Sequence, residues 1–236
     1  MHTLTQAVGQ TTYPGRGIIV GKSENGKKAV FAYFIMGRSE NSRNRIFVKE
    51  EGGMRTQAFD EAKMKDPSLI IYWPVREYEN KLIVTNGDQT DTIYEYVKNG
   101  KSFIDALNTR CFEPDAPNFT PRISAMASFE NGDFALQMGV LKAADQNGTK
   151  SLRAYYLFEG VNAGEGEFIH TYAADGNPLP SFTGEPEKVA LGNESIDEIT
   201  ETIWNGLNAE NRVSLYVCVY DLETLENEYR IVNRHA

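Results

Sequence analysis

An apolar run over residues 29–36 constrains the fold of this chain more than any other segment. The run is apolar on both faces of a strand, and it follows a second β-rich run over residues 15–21. The Asn25-Gly26 pair between the two runs predicts a tight turn, so together they predict a hairpin. A strand that is apolar on both faces is typical of a sheet covered on two sides. We therefore expect a layered fold in which this hairpin is central.

The remaining pattern predicts further strands and three helices. Strands are predicted at residues 45–48, 68–73, 81–85, 122–129, 134–141, 151–158, 167–172, 212–220 and 228–232, the segments 151–158 and 167–172 being expected to form a pair. Helices are predicted at residues 91–98, 102–107 and 195–207, with Ser102 as a candidate N-cap and Ser195 and Glu198 in capping-box spacing. Residues 173–194 are rich in Gly and Pro and predict a long loop.

The order of these elements is strands, helices, strands, helix, strands. It predicts an α+β protein with largely antiparallel sheets, and the number of strands suggests two stacked sheets. A doubly wound nucleotide fold is disfavoured because strands and helices do not alternate, and no Gly-x-x-x-x-Gly-Lys phosphate loop occurs. We expect a single domain over residues 1–236, with residues 1–12 as a poorly ordered extension.

Composition and charge exclude several functional classes. The chain of 236 residues carries 33 acidic and 24 basic side chains, a formal charge of −9, which disfavours nucleic acid or an anionic membrane as a partner. No run approaches the roughly 20 apolar residues that span a bilayer, and the N-terminus lacks the apolar core of a secretion signal. We therefore expect a soluble, cytoplasmic protein. The three histidines have no metal-ligand spacing, so we expect no metal site.

The charge is unevenly distributed. Residues 13–48 contain seven cations and two anions, a net charge of +5, so the remainder carries −14. This pattern favours a local cationic site for an anionic metabolite within an acidic protein; the alternative is that the lysines are surface residues of a hairpin, which we prefer for Lys27 and Lys28.

Three polar segments are candidates for such a site. Residues 36–45 contain three arginines, and guanidinium groups bind phosphate bidentately; the alternative is a solvated turn with surface ion pairs. Residues 85–91 lead into a helix N-terminus, which favours anions, although Asp88, Thr90 or Asp91 could simply cap the helix. Residues 110–123 contain three prolines and Glu113 and Asp115, which are candidates either for proton transfer or for ion pairing.

These segments also carry a family resemblance. The residues are Tyr33, Gly37-Arg38-Ser39, Asn44-Arg45, Thr85-Asn86-Gly87, Thr90-Asp91, Glu113, Asn118 and Thr120-Pro121-Arg122-Ile123. In this order they resemble the archaeal-type IMP cyclohydrolase family over residues 13–140. The resemblance departs from the family pattern in a longer loop before Asn44-Arg45, in the insertion of Phe119 and in a C-terminal extension.

The resemblance implies a fold and a reaction. The fold is a four-layer αββα sandwich of largely antiparallel sheets, similar to that of N-terminal-nucleophile hydrolases. The reaction is the last step of de novo purine biosynthesis, in which 5-formamidoimidazole-4-carboxamide ribotide (FAICAR) closes to IMP with loss of water. It implies no cofactor, and we expect a homo-oligomer. Two alternatives stay open, a non-catalytic purine-nucleotide-binding protein on the same fold and an amide hydrolase of the sandwich superfamily.

The resemblance also implies roles for individual residues. Arg45 would stabilise negative charge on the formyl oxygen, and Glu113 and Tyr72 would transfer protons. The implied substrate-binding residues are Arg38, Ser39, Asn44, Asn86, Asp91, Asn118, Thr120 and Arg122.

Overall fold

Fourteen strands and five α-helices make up the computed structural model, which describes residues 1–64, 67 and 69–235. The strands are β1 (His2–Thr3), β2 (Arg16–Lys22), β3 (Lys28–Met36), β4 (Arg45–Glu50), β5 (Gly53–Ala58), β6 (Val75–Tyr78), β7 (Lys81–Thr85), β8 (Arg122–Glu130), β9 (Asp133–Ala143), β10 (Ser151–Phe158), β11 (Glu165–His170), β12 (Glu187–Ala190), β13 (Arg212–Asp221) and β14 (Asn227–Asn233). The helices are α1 (Leu4–Gly9), α2 (Glu40–Arg43), α3 (Gln89–Lys98), α4 (Phe103–Asn108) and α5 (Ile196–Gly206).

The strands form two seven-stranded sheets. The first has the order β1-β12-β11-β2-β3-β13-β14, and the second has the order β10-β9-β8-β7-β6-β5-β4. Neighbouring strands are antiparallel throughout, except that β1 runs parallel to β12. The predicted α+β class with two largely antiparallel sheets is therefore confirmed.

The central hairpin explains why residues 29–36 are apolar on both faces. Strand β3 pairs with β2 on one side and with β13 on the other. Phe31 and Tyr33 face the core between the two sheets, whereas Ala32 and Phe34 face α1 and α5. Side chains alternate across a strand, so a strand between two cores must be apolar at every position.

Helices cover the outer face of the second sheet as well. Ile93 of α3 and Phe103 and Leu107 of α4 pack against Ile83 and Leu141 of that sheet. The order of layers is therefore helices, first sheet, second sheet, helices. Two predicted helix starts are confirmed, because Ser102 with Asp105 and Ser195 with Glu198 both form complete capping boxes.

The strand predicted at residues 68–73 is wrong for residues 69–73, which form turns, while Ser68 lies outside the described residues. The Thr56 side chain, rather than a regular β-ladder, anchors this segment. Its hydroxyl donates to the Ile70 carbonyl at 2.8 Å and accepts from the Tyr72 N–H at 2.8 Å, while the Thr56 N–H donates to the Tyr72 carbonyl at 3.0 Å. The apolar residues of the segment are thus anchored locally, and the sheet continues through β5 and β6 instead.

Three other expectations are corrected. Residues 151–158 and 167–172 do not pair, because β10 pairs with β9 in the second sheet and β11 pairs with β2 and β12 in the first. The long loop predicted at residues 173–194 contains β12. Residues 1–12 were expected to be poorly ordered, but they form β1 and α1, since Leu4, Ala7 and Val8 follow helical spacing and are buried in the core that contains α5.

Replacing Thr56 with Val tests the anchoring of residues 70–72. The variant keeps the shape of the side chain but takes the hydroxyl away from the Ile70 carbonyl and the Tyr72 N–H, whereas the Tyr72 carbonyl keeps the Thr56 N–H as its partner. We expect it to lower the free energy of unfolding by about 2–3 kcal/mol in urea denaturation. The control is Thr183→Val, because Thr183 is exposed. Equal stability of the two variants would contradict this role of Thr56.

Candidate functional site

Five ionisable side chains from distant parts of the chain meet at one end of the two sheets. They are Arg16 at the start of β2, Tyr33 near the end of β3, Arg45 at the start of β4, Tyr72 before β6, and Glu113 before β8. The pKa of each of these side chains is affected by the charges of at least two of the others. We call these five residues the polar cluster.

Arg45 is one of the two fully buried residues of the polar cluster, the other being Tyr33. Arg45 is fully inaccessible to solvent, and its Nε donates to the Ser42 carbonyl at 2.8 Å. Its Nη1 is buried and has no hydrogen-bond partner among the described residues. Burial and the positive charge of Arg16 lower the pKa of Arg45. A buried donor of this kind is a preformed contact for an anionic oxygen.

Two further guanidinium groups lie around Glu113, and each has a buried nitrogen that has no partner among the described residues. These nitrogens are Arg16 Nε and Arg122 Nε. Burial opposes the charged form of Arg16, but Glu113 and the neighbouring tyrosines outweigh it and raise the pKa of Arg16. Arg16 remains partly exposed to solvent, whereas Arg45 is enclosed.

Glu113 provides the only carboxyl group of the polar cluster. The residue is 2% exposed, and burial raises its pKa to about 7, although the charges of Arg16, Arg122 and Arg45 oppose the increase. No side-chain hydrogen bond or ion pair of Glu113 is found within the part of the chain that the structure describes. A carboxyl group that titrates near neutral pH can both accept and donate a proton.

Gly87 lets the main chain approach these groups closely. A Cβ at this position would lie 2.7 Å from Arg122 Nη1, 2.7 Å from Gln89 Oε1 and 3.5 Å from Glu113 Oε1. Arg122 Nη1 donates to Gln89 Oε1 and to Asp88 Oδ1, both at 2.7 Å. A side chain at position 87 would therefore displace the Arg122 guanidinium from its partners.

Asp88 has a different role from the capping role considered above. It precedes α3 but makes no side-chain capping hydrogen bond. Its carboxylate instead pairs with Arg110 and Arg122. Burial acts in the opposite direction, yet these two arginines lower the pKa of Asp88. Asp88 therefore holds Arg122 in place rather than starting the helix.

Two tyrosines complete the polar cluster. The hydroxyl groups of Tyr33 and Tyr72 are hydrogen-bonded at 2.8 Å. Burial raises the pKa of both tyrosines, although the charges of Arg16 and Arg45 oppose the increase in each case. Both hydroxyls therefore stay protonated at neutral pH and can act as donors.

A stacked rim connects the polar cluster to the surface. Tyr172 is hydrogen-bonded to the Thr120 hydroxyl, and its ring stacks on Tyr13 with 5.9 Å between centroids. The Arg38 guanidinium lies 4.9 Å from the Tyr13 ring centroid, and it pairs with Asp175 at 2.6 Å. Arg38 is therefore at the rim and not among the enclosed arginines.

The other predicted binding residues hold the surrounding loops. Asn44 bonds the main-chain N–H and carbonyl of Asp60, both at 2.8 Å, and Ser39 caps α2. The Asn86 side chain bonds the main chain at Pro121 and Ile123, at 2.9 and 2.8 Å. Asn118 accepts a hydrogen bond from the Leu179 N–H at 3.0 Å. Asp91, on α3, forms an ion pair with Arg76 at 2.7 Å. Their roles in substrate binding stay predictions.

The structure thus brings Arg45, Tyr72, Glu113, Thr120 and Arg122 to one region. It adds three residues that were not predicted as site residues: Arg16, Tyr33 and Tyr172, although Tyr33 was one of the positions that carry the family resemblance. An arginine directly before five uncharged residues, Gly17 to Gly21, in a buried strand is the signal that could have indicated Arg16.

A metal-binding arrangement was not expected, and the absence of a metal stays a prediction. Over residues 1–64, 67 and 69–235, no three His, Cys, Asp or Glu side chains are grouped so that they could hold a metal ion.

The high pKa of Glu113 has a consequence for stability. Between its ordinary value of 4.5 and about 7 the folded protein holds a proton that the unfolded chain releases. Stability therefore falls as pH rises through this interval and stays lower above it. We expect the Glu113→Gln variant to lack this pH-dependent decrease in stability. Its free energy of unfolding relative to that of the wild type should therefore increase by about 2 kcal/mol from pH 5 to pH 8.

Urea denaturation at the two pH values measures this difference. Glu130→Gln is the matched control, since Glu130 is exposed, and its stability should follow that of the wild type. If the difference in free energy of unfolding between Glu113→Gln and the wild type is the same at both pH values, the raised pKa of Glu113 is contradicted.

The comparison with known protein families covers this whole region. No curated protein matches the sequence. A family model described as IMP cyclohydrolase-like protein matches residues 13–224, which include every residue of the polar cluster and of its rim. The match confirms the resemblance seen in the sequence and extends it beyond residue 140. The chain belongs to the IMP cyclohydrolase-like protein family.

Proposed function

We propose that the protein is an IMP cyclohydrolase, which closes FAICAR to IMP and water. The observation that carries the proposal is the buried Glu113 under the charges of Arg16, Arg45 and Arg122, each of which has a buried nitrogen without a partner among the described residues. Membership of the IMP cyclohydrolase-like family supports the same reaction.

The charges of the site suit the substrate. Three guanidinium groups and one carboxyl give the site a net positive charge, and the substrate carries one phosphate monoester. Arg16 is partly exposed and lies on the side of the rim, so we assign the phosphate to Arg16 and Arg38. Binding of the phosphate would compete with Asp175 for Arg38.

The enclosed groups are assigned to the reacting atoms. Arg45 faces the formyl oxygen, where negative charge develops when the carboxamide nitrogen attacks the formyl carbon. Arg122, held by Asp88 and Gln89, orients the formyl and carboxamide groups beside Glu113. Both reacting groups belong to the same molecule, so holding the substrate in the conformation that brings the carboxamide nitrogen to the formyl carbon increases the rate.

Proton transfer follows from the pKa of Glu113. Its carboxylate accepts a proton from the carboxamide nitrogen as the new C–N bond forms, and the oxyanion takes a proton from Tyr72. The hydroxyl then leaves as water with the proton held by Glu113. Loss of the formamide N–H proton to Tyr72 forms the C=N bond of the closed ring and restores both residues.

The layered architecture supports the αββα sandwich that the family resemblance implies. Helices on the outer faces of two stacked, mostly antiparallel sheets support the proposal of the αββα sandwich that N-terminal-nucleophile hydrolases share. An amide hydrolase of that superfamily needs a Cys, Ser or Thr nucleophile, whereas the polar cluster contains Arg, Glu and Tyr and the nearby Thr120 hydroxyl is hydrogen-bonded to Asp115 and Tyr172. The amide hydrolase is therefore the weaker alternative.

The cytoplasmic location and the homo-oligomer stay predictions. Within the described part of the chain, no helix has the length and apolar character that crossing a bilayer requires.

A spectrophotometric assay with FAICAR tests the proposal. We expect the purified protein to form IMP without added cofactor, with kcat/KM rising as pH increases through about 7, because Glu113 must be ionised to accept the proton. Glu113→Gln should lower kcat by roughly 100- to 10,000-fold. Glu130→Gln should retain full activity.

One outcome would contradict the proposed activity, and another would contradict only the role of Glu113. A folded protein that binds IMP without turning over FAICAR would be the non-catalytic nucleotide-binding alternative. Full activity of Glu113→Gln with an unchanged pH profile would leave the reaction intact but remove Glu113 from it.

A further inference from the structure

A surface groove lies beside the segment that carries Arg45. It has a volume of about 390 Å³ and is lined chiefly by Arg43, Asn44, Phe59, Lys63, Arg234 and His235. We call it the Phe59 groove. None of the five residues of the polar cluster lines it. Its volume is within the range of small-molecule sites, which is about 300–1,000 Å³.

An aromatic platform forms part of the groove. Phe59 is 54% exposed, and its ring stacks on His235 with a centroid distance of 4.7 Å and an angle of 22° between the planes. A large apolar ring supported in this way and open to solvent offers a flat surface to a planar ligand. Stacking on such a ring tolerates any nucleobase, because every base has a π-face.

Three cations surround the platform, and backbone carbonyls hold two of them. Arg43 Nε donates to the Gly37 carbonyl at 2.9 Å, and Arg234 Nη1 donates to the Glu210 carbonyl at 2.6 Å. A neutral carbonyl orients a guanidinium group without cancelling its charge. Among the described residues, the one carboxylate within ion-pair distance of these cations is Asp60, 3.8 Å from Lys63 Nζ.

Two carboxylates reduce the charge but do not reverse it. Glu40 on α2 is exposed, and Asp60 Oδ1 accepts from the Ala62 N–H at 3.0 Å. Three cations and two carboxylates give the lining a net charge of +1 if His235 is neutral. Two guanidinium groups beside a flat ring suit a phosphate attached to a planar group.

We propose that the Phe59 groove is a binding site for a nucleoside monophosphate, separate from the polar cluster. The base stacks on Phe59, and the phosphate is bound by Arg43, Lys63 and Arg234. The site needs no chemistry of its own, and it stands whether or not the polar cluster closes FAICAR.

Calorimetric titration with cytidine monophosphate tests this site, because a pyrimidine nucleotide is a poor match for a purine ring-closing site. We expect one molecule to bind per chain. Cytidine and inorganic phosphate should each bind at least about tenfold more weakly, since each lacks one half of the recognised ligand. Phe59→Ala and Arg234→Ala should each weaken binding of cytidine monophosphate by at least about tenfold.

Matched controls are available on β10. Leu157 is 60% exposed, so Leu157→Ala removes a comparable exposed apolar side chain. Arg153 is exposed and donates to the Arg110 carbonyl at 2.7 Å, so Arg153→Ala matches Arg234→Ala. Both control variants should bind cytidine monophosphate as the wild type does.

Three results would overturn the proposal. They are the absence of binding, equal binding by wild type and both groove variants, and binding of inorganic phosphate as tight as that of the nucleotide. FAICAR turnover, measured on the same preparations, reports on the polar cluster alone. Failure of one site is therefore distinguishable from failure of the other.

Discussion

The gathering of three guanidinium groups, two of them buried and one partly exposed, around one buried carboxyl is the constraint on which the rest of the structure depends. Removing such charges from water is costly unless they are paired and hydrogen-bonded. The chain meets part of this cost with fixed partners: Ser42 accepts from Arg45, and Asp88 and Gln89 accept from Arg122. The nitrogens left without partners among the described residues, together with a Glu113 that titrates near 7, are the groups that a bound anion would satisfy.

The double-sided core makes this burial feasible. Strand β3 contributes side chains to the cores on both of its faces, and the resulting layers form a rigid frame around the ends of β2, β4 and β8. Functional groups at strand ends inherit the rigidity of the sheets. Thr56 extends the same frame to a turn, because its hydroxyl fixes the main chain that carries Tyr72 beneath Tyr33.

Local signals in the sequence predicted a large part of this arrangement. The Asn25-Gly26 hairpin and the Ser102 and Ser195 caps were found because they depend on neighbours within a few residues. Arg45 and Glu113 were indicated by the family motif. The partition of β10 and β11 between sheets and the contribution of Arg16 depend on contacts between residues far apart in the chain, which periodicity does not encode. The Phe59 groove was missed for the same reason, since Arg43 and Arg234 meet only in the folded protein.

The central claim is that the polar cluster is the site of ring closure. A crystal structure determined after soaking crystals of the protein with IMP tests this claim most directly. The account predicts the hypoxanthine ring within hydrogen-bond distance of Arg45 and Glu113, with the phosphate contacting Arg16 and Arg38 and Asp175 displaced from Arg38. IMP bound with its base away from Arg45 and Glu113, or a polar cluster that stays without IMP while the nucleotide binds elsewhere, would contradict it.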